Sequence, residues 1–469
     1  MHWGLTKGKY APRLYSPSVL TFTEKLWRMD GATKMREVIL EGAYGVLPPG
    51  DSYDDSLPIT FLRATEMMPN LRVDLSSCHR VAREYFNPKA RINIGNVLLA
   101  VKGATIASNK CVAVIEDEPG EAVINGSIFR IKFKSAVNPK FAAVALDTPL
   151  MKRQMRLGLV ANNGVDYLDK TLIHSLVFPA SPPEVQQQIV LIYEDATAAY
   201  RAAHADAEQM FEGIDDYLLA ELGITLPPEP ENTIANRIFT AQRRELAGWR
   251  FDPLFHSFKL WHAIENANTP HKKLGHCCHY VRTGFAAGGE MQLFDDDGVI
   301  QLRPTNIDAD RELIFDRNIY LDRALLTERI ADVVQTGEVL FNNTNSQELV
   351  GKTVYLDIDG QPFFCSNHIT RIGVIERELN AEYLTAVLNA YQRLKVFFSL
   401  CTNWNNQSGV NVDLLRQLPI PIPDLVKQTA IAGHIREIRN EAKRLRQQAE
   451  TELEIAKRRI EAMLLRETA

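Results

Sequence analysis

No apolar run in this sequence reaches the roughly 18 residues that a membrane span needs. The N-terminus, "MHWGLTKGKYAPRLYS", carries no apolar signal-peptide core, so a cytoplasmic protein is the default expectation. Six cysteines are present (Cys78, Cys111, Cys277, Cys278, Cys365 and Cys401) and none forms a C-x2-C pair. The run "HCCH", His276 to His279, looks like a metal site. Neighbouring residues of an extended segment point to opposite faces, so four consecutive ligands do not converge on one ion. Reduced, mostly buried thiols are the expectation, and no metal site is assigned.

The sequence is also short of catalytic motifs. H-E-x-x-H, G-x-S-x-G, N-P-P-[YF] and D-P-P-Y are all missing. "ELVGKT", Glu348 to Thr353, ends like a phosphate-binding loop. Ser346 stands where that loop requires its first Gly, and "VYLDI" after it reads as a strand, not a helix. Pro423-Asp424 and "EAK" (Glu441 to Lys443) supply only the letters of a nuclease motif. The chain reads as a non-enzyme with no catalytic residues and no cofactor of its own.

Strong charge bias is missing overall, since the net charge is −5. By segment a pattern emerges. Residues 1–182 carry 23 Lys and Arg against 17 Asp and Glu, while 183–224 carry 1 against 9. Residues 225–423 carry 19 against 24, and 424–469 carry 10 against 8. A basic first segment leaves room for a nucleic-acid surface despite the total.

What the sequence does have is a repeat of about 242 residues. "RLYSP" (Arg13 to Pro17) matches "RFDP" (Arg250 to Pro253), and "FLRATEM" (Phe61 to Met67) matches "QLRPTNI" (Gln301 to Ile307). "IGNVLLAVKGA" (Ile94 to Ala104) matches "TGEVLFNNTNS" (Thr336 to Ser346), and "INGSIFRI" (Ile124 to Ile131) matches "SNHITRI" (Ser366 to Ile372). Gly95 and Gly337 are separated by that same offset, as are Gln186 and Gln428. Each half begins with a β-rich segment whose short apolar runs are bounded by Gly, Asn and Asp. A shorter helical pattern follows, over Pro139 to Gly158 and over Ala381 to Leu400. A Pro-rich strand then leads into one long helix.

The long helices carry near-heptad apolar seams. The first runs Ile189, Ile192, Ala196, Ala199, Ala203, Ala207, Met210, Ile214, Tyr217. The second runs Ile431, Ile435, Ile438, Ala442, Leu445, Ala449, Leu453, Ala456, Ile460, Met463. An acidic first helix and a basic second one favour pairing within the chain; pairing between two copies is the other arrangement the pattern allows. The second helix, about 40 residues long, would span roughly 60 Å. Ser181-Pro182-Pro183-Glu184 reads as a capping box with Pro at the first helical position, and Asp424 as the second helix's N-cap.

This ordered duplication resembles the specificity subunit of type I restriction–modification systems. Its carriers are "FPASPPEVQQQIV", "IPIPDLVKQTAI" and the matched pairs above, and it covers Arg13 to about Leu465. The resemblance implies an α+β chain with a pseudo-two-fold internal repeat. Two β-rich target recognition domains, at 1–180 and 249–422, would be separated by two long helices, 181–224 and 423–469, forming an antiparallel intramolecular coiled coil, with a linker at 225–248. It implies double-stranded DNA as partner, read as a bipartite site, and two methyltransferase subunits docked on the chain for adenine-N6 methylation. In complete systems restriction subunits join. S-adenosylmethionine would belong to the methyltransferase partner, and ATP and Mg to the restriction partner.

Base edges are read by Arg, Lys, Asn and Gln on loops. Candidates in the first half are Arg63, Lys102, Asn109, Lys110, Asn162 and Asn163. In the second half they are Arg303, Asn343, Asn345 and Lys352, with Asn403, Trp404, Asn405 and Asn406 on the polar loop "CTNWNNQSG". Ser181, Glu184, Gln186, Asp424 and Gln428 are candidates for the hinge and for partner docking. The alternative class is a scaffold without nucleic acid, with two β-rich protein-binding modules on a coiled coil, kept open by the acidic second half.

Overall fold

The computed structural model describes residues 17–162, 165–226, 267–293, 297–404 and 407–466, with isolated residues between 233 and 264. The chain divides into two compact units, residues 1–205 with 444–469, and residues 206–443.

The first unit contains strands β1 (Ala32–Lys34), β2 (Ile39–Tyr44), β3 (Ile59–Leu62), β4 (His79–Val81), β5 (Val97–Ala100), β6 (Val112–Val114), β7 (Ala122–Ile124), β8 (Ile128–Phe133), β9 (Val160–Asn162), β10 (Val165–Tyr167) and β11 (Val177–Pro179). One antiparallel sheet has the order β2-β8-β5-β6; a second has the order β4-β3-β7, with β3 and β7 parallel. The run "VLLA" of β5 is apolar without alternation because both its faces are covered. Val97 and Leu99 join a core with Phe141, Met151 and Ile189, while Leu98 and Ala100 join another with Phe61 and Ile124.

The second unit repeats this plan with β12 (His271–Lys273), β13 (Cys278–Thr283), β14 (Gln292–Leu293), β15 (Val299–Leu302), β16 (Tyr320–Leu321), β17 (Val339–Asn342), β18 (Thr344–Asn345), β19 (Thr353–Tyr355), β20 (Phe363–Cys365), β21 (Ile369–Val374), β22 (Thr402–Trp404), β23 (Gln407–Gly409) and β24 (Pro419–Pro421). Its main sheet, β13-β21-β17-β19, has the topology of the first unit's sheet, and β15 pairs parallel with β20 as β3 does with β7. Gly95 and Gly337 both take left-handed backbone, φ 80° and 92°, in the turn before the central strand. Their amides bond to Ile115 O and Leu356 O, each at 2.8 Å.

The Pro-rich strands are edges. Each pairs with one short partner, β11 with β1 and β24 with β12, which suits residues that cannot donate to a ladder. The shorter helical pattern is two helices in each unit. In the first, Thr148-Pro149 separates Pro139–Asp147 from Pro149–Gly158. In the second, left-handed Lys395 separates Ala381–Arg393 from Val396–Leu400.

The long helices run Pro183–Leu222 and Leu425–Leu465. In the first unit Ile189 and Tyr193, early in the first helix, share a core with Ile460 and Leu464, late in the second. In the second unit the late residues Ile214, Leu218 and Leu222 meet the early residues Ile431 and Ile435. Early against late is antiparallel pairing within one chain. The second seam is buried or half-buried at every expected position. The first is displaced in its N-terminal part: Tyr193 and Thr197 are buried, whereas Ile192 and Ala196 are half-buried and Ala199 is exposed. Thr197 fits an apolar seam because its hydroxyl donates back to Tyr193 O at 2.8 Å. No helix among the described residues is long and apolar enough to cross a membrane.

Candidate nucleic-acid interface

The Pro-rich junctions repeat one hydrogen-bond geometry in both halves. Gln186 is buried, and its Oε1 accepts from the Asn138 amide at 2.7 Å. Its Nε2 donates to Ala136 O at 3.0 Å and to Ser181 O at 2.8 Å. Gln428, at the corresponding place in the second half, repeats all three bonds. Oε1 accepts from the Asn380 amide at 2.8 Å, and Nε2 donates to Glu378 O at 3.0 Å and Pro423 O at 2.8 Å. Asn138 and Asn380 in turn cap the module's first short helix, accepting from Phe141 and Tyr383 amides. One amide side chain thus ties the end of the Pro-rich segment to the turn that starts a helix of the β-rich module.

Two expectations for this hinge are corrected. Gln186 and Gln428 are too buried to offer a docking surface; they act inside each unit. The capping box at Ser181 is not formed, since its buried Oγ has no hydrogen-bond partner and its carbonyl serves Gln186 instead. Asp424 does cap its helix, accepting from the Lys427 amide at 2.8 Å, just before the first helical residue. Glu184 is exposed in the first turn of its helix.

Among the reader candidates of the first unit, Arg63 is committed internally. Its guanidinium lies 2.7 Å from the buried Glu66, which also accepts from the Arg63 amide at 2.7 Å. Burial works to raise the Glu66 pKa, and donation from Arg63 and Thr65 overrides it, holding the carboxyl below its usual range. Lys102 is half-exposed, with Nζ 5.9 Å from the ring centre of Tyr167, and bridges to that residue on the β9–β10 hairpin. Asn109 is exposed and Lys110 half-exposed on the same loop. Asn162 lies in β9; Asn163 lies outside the described residues.

In the second unit Asn343 is corrected: it is buried, donating to Thr370 Oγ1 at 2.9 Å and Asn367 O at 3.2 Å. Facing inward, it braces the strand end that follows β17. Arg303 repeats the Arg63 turn with Asn306 in place of Glu66, its amide donating to Asn306 Oδ1 at 3.0 Å. Asn345 Oδ1 is taken by the Ser346 amide at 2.9 Å. Lys352 donates to Asp308 O at 3.3 Å, its pKa depressed by burial and by Arg311. Burial, with Arg393 and Arg439 close by, lowers Arg311 itself to about 10. Arg393 in turn forks onto Asp215 of the first long helix. Arg311, Lys352, Arg393 and Arg439 of this net-acidic half therefore lie near one another, where the loop around Arg311 meets the helices.

The loop "CTNWNNQSG" is a hairpin, β22–β23, extended by β18 into a three-stranded ribbon. Asn403 Oδ1 accepts from Ser408 Oγ at 2.6 Å. Trp404 is 46% exposed. Asn405 and Asn406 lie outside the described residues. Gln407 pairs directly with Trp404 in the register and is exposed; it was not among the sequence candidates. A two-residue Asn-Asn turn would have paired these positions from sequence. Cys277 and Cys278 are buried, and no group of three or more metal-ligating side chains occurs among the described residues.

Residues 330–454 match the family described as the type I restriction modification DNA specificity domain. Over 98 residues the chain is 29% identical to a putative type I restriction enzyme MjaX specificity subunit from Methanocaldococcus jannaschii. That match covers 20% of this chain and 23% of the subunit, so it spans less than a quarter of the relative. A solved structure concerned with complex assembly and conformational transition of the type I R-M system shares the fold. Its TM-score is 0.52 at 13% identity, covering 92% of this chain and 96% of that one. The S subunit of a type I system from M. genitalium aligns over 92% of this chain and 95% of its own, at 10% identity and TM-score 0.42.

Proposed function

We propose, from the premise that this chain belongs over residues 330–454 to the type I restriction–modification DNA specificity family, that it is the DNA specificity subunit of such a system. The observation that carries this reading is the repetition of one module, with the same sheet order and the same glutamine clamp, in both halves of the chain. Two similar modules with different exposed side chains suit a site made of two different halves. In this reading each module contacts one half-site, and the paired helices carry two methyltransferase subunits and, in complete systems, restriction subunits.

The chain's own work is binding and placement. The partner flips the target adenine out of the duplex and methylates it at N6, using S-adenosylmethionine held by that partner. ATP and Mg belong to the restriction partner. The half-exposed Lys102 and Lys110 and the exposed Asn109 are proposed for the first half-site, the β22–β23 ribbon for the second.

The test is binding by the reconstituted complex with its methyltransferase partner, by fluorescence anisotropy on duplexes selected from a random pool. The expected result is enrichment of one split motif, bound with an affinity that falls steeply with salt as phosphate contacts release counterions. Binding that ignores salt, or no enriched sequence, would favour the protein-scaffold reading instead.

A further inference from the structure

The β22–β23 ribbon presents an unusual pair of side chains. Trp404 and Gln407 are directly opposite in the antiparallel register, so they share one face, with β-carbons roughly 5 Å apart. Both are exposed. The far edge of the indole lies across the ribbon on Gly409: a β-carbon there would fall 2.4 Å from Trp404 Cη2. Glycine at 409 therefore lets the ring lie flat along its own ribbon. Asn403 and Asn345 occupy the opposite face, and their side-chain oxygens are already used by Ser408 Oγ and the Ser346 amide. The ribbon is firmly rooted. Its first strand follows buried Cys401, its second is followed by buried Val410, and Gln347 Nε2 holds Phe398 O at 2.9 Å.

We infer that Trp404 and Gln407 are specificity-determining residues that together read an A·T pair in the DNA major groove; this rests on the proposed function and deepens it. β18 pairs only with Ser408 and Gly409, so at Trp404 and Gln407 the ribbon has two strands, and a two-stranded ribbon fits the major groove, which is about 12 Å wide. There an A·T pair shows adenine N7 and N6–H2, which one carboxamide matches bidentately, beside the thymine 5-methyl, which needs an apolar surface. Gln407 supplies the carboxamide and Trp404 the surface, on one face of one ribbon. An exposed indole beside an exposed amide gains nothing from the fold itself, since neither packs into the cores of its unit. At the repeat offset, Asn162 and Val165 correspond to Trp404 and Gln407, so the first half's ribbon reads by other chemistry.

The experiment uses the reconstituted complex and the duplex motif it selects. Each thymine in turn is replaced by deoxyuridine, which lacks only the methyl group. For the native protein, one position is expected to weaken binding by on the order of tenfold. Trp404→Ala should lose a similar factor on the unmodified duplex and then show no further loss at that position. Gln407→Ala should relax the adenine preference at the same or the adjacent pair. Thermal unfolding of both variants should match the native chain, because both sites are exposed. Loss of all selected binding by the native complex would sink the proposed function. A selected motif in which Trp404→Ala still distinguishes thymine from deoxyuridine, or in which neither half contains an A·T pair, would overturn this inference alone.

Discussion

Replacing Gln428 by Leu keeps most of the side-chain volume and removes three hydrogen bonds at once. The Asn380 amide and the Glu378 and Pro423 carbonyls are left facing an apolar side chain at a site with no exposed surface. A net hydrogen bond contributes about 1 kcal/mol, and an orphaned buried group costs about 1–3 kcal/mol, so a loss of about 3 kcal/mol or more is expected. Gln186→Leu should cost nearly the same, because its three bonds have the same partners in kind and closely matching lengths. The two losses should add in the double variant, since the clamps sit in different units and share no partner. Urea unfolding of the full chain measures this, with Gln187→Leu as control, because Gln187 is exposed beside the clamp. The reasoning would be refuted by a loss at either clamp under about 0.5 kcal/mol, the range of an ordinary surface substitution. A Gln187→Leu effect as large as that of Gln186→Leu would refute it equally.

Three other outcomes follow from buried or crowded groups. Glu338→Gln strands Arg371, whose guanidinium is buried and lies 2.5 Å from that carboxylate; thermal unfolding should show a loss of about 3–5 kcal/mol. Gly45→Ala and Gly284→Ala should each sharply reduce folded yield, because a β-carbon would fall 1.9 Å from Ile124 O and 2.1 Å from Cys365 O, backbone atoms that cannot yield. Glu66 has a folded pKa below its unfolded value, so its contribution to stability is present above the unfolded pKa and is lost as pH falls through the lowered one. Acid titration of unfolding free energy should therefore be steeper for the native chain than for Glu66→Gln.

The helices were the most legible part of the sequence. The seam from Ile431 to Met463 is regular because a long amphipathic helix has one partner and one buried stripe. The N-terminal part of the first seam was misplaced by one position, since Ala gives little contrast between faces and Thr197 hides its hydroxyl against Tyr193 O. The repeat was legible from matched fragments at constant offset, but "RLYSP" and "RFDP" fall almost wholly outside the described residues. Sheet order was not legible: the parallel pairing of β3 with β7 joins Ile59–Leu62 to Ala122–Ile124 across a long connection that leaves no local signal. Residue type alone also failed to separate inward from outward polar groups. Asn343 and Asn345 look alike in sequence, yet one is buried against Thr370 and the other is half-exposed. Ser181 has the residue type of a cap but not its geometry, because Gln186 takes its carbonyl and leaves its hydroxyl without a partner.

The central claim is that this chain chooses the DNA sequence through two separate modules. The most direct measurement is modified-base sequencing of genomic DNA from cells that express the chain with its methyltransferase partner, beside cells expressing the Gln407→Ala variant. The expected result is N6-methyladenine at one bipartite motif for the native chain, with the variant relaxing only one half of it. Methylation confined to an undivided motif, relaxation of both halves by the single substitution, or no dependence of the methylated motif on this chain would contradict the account.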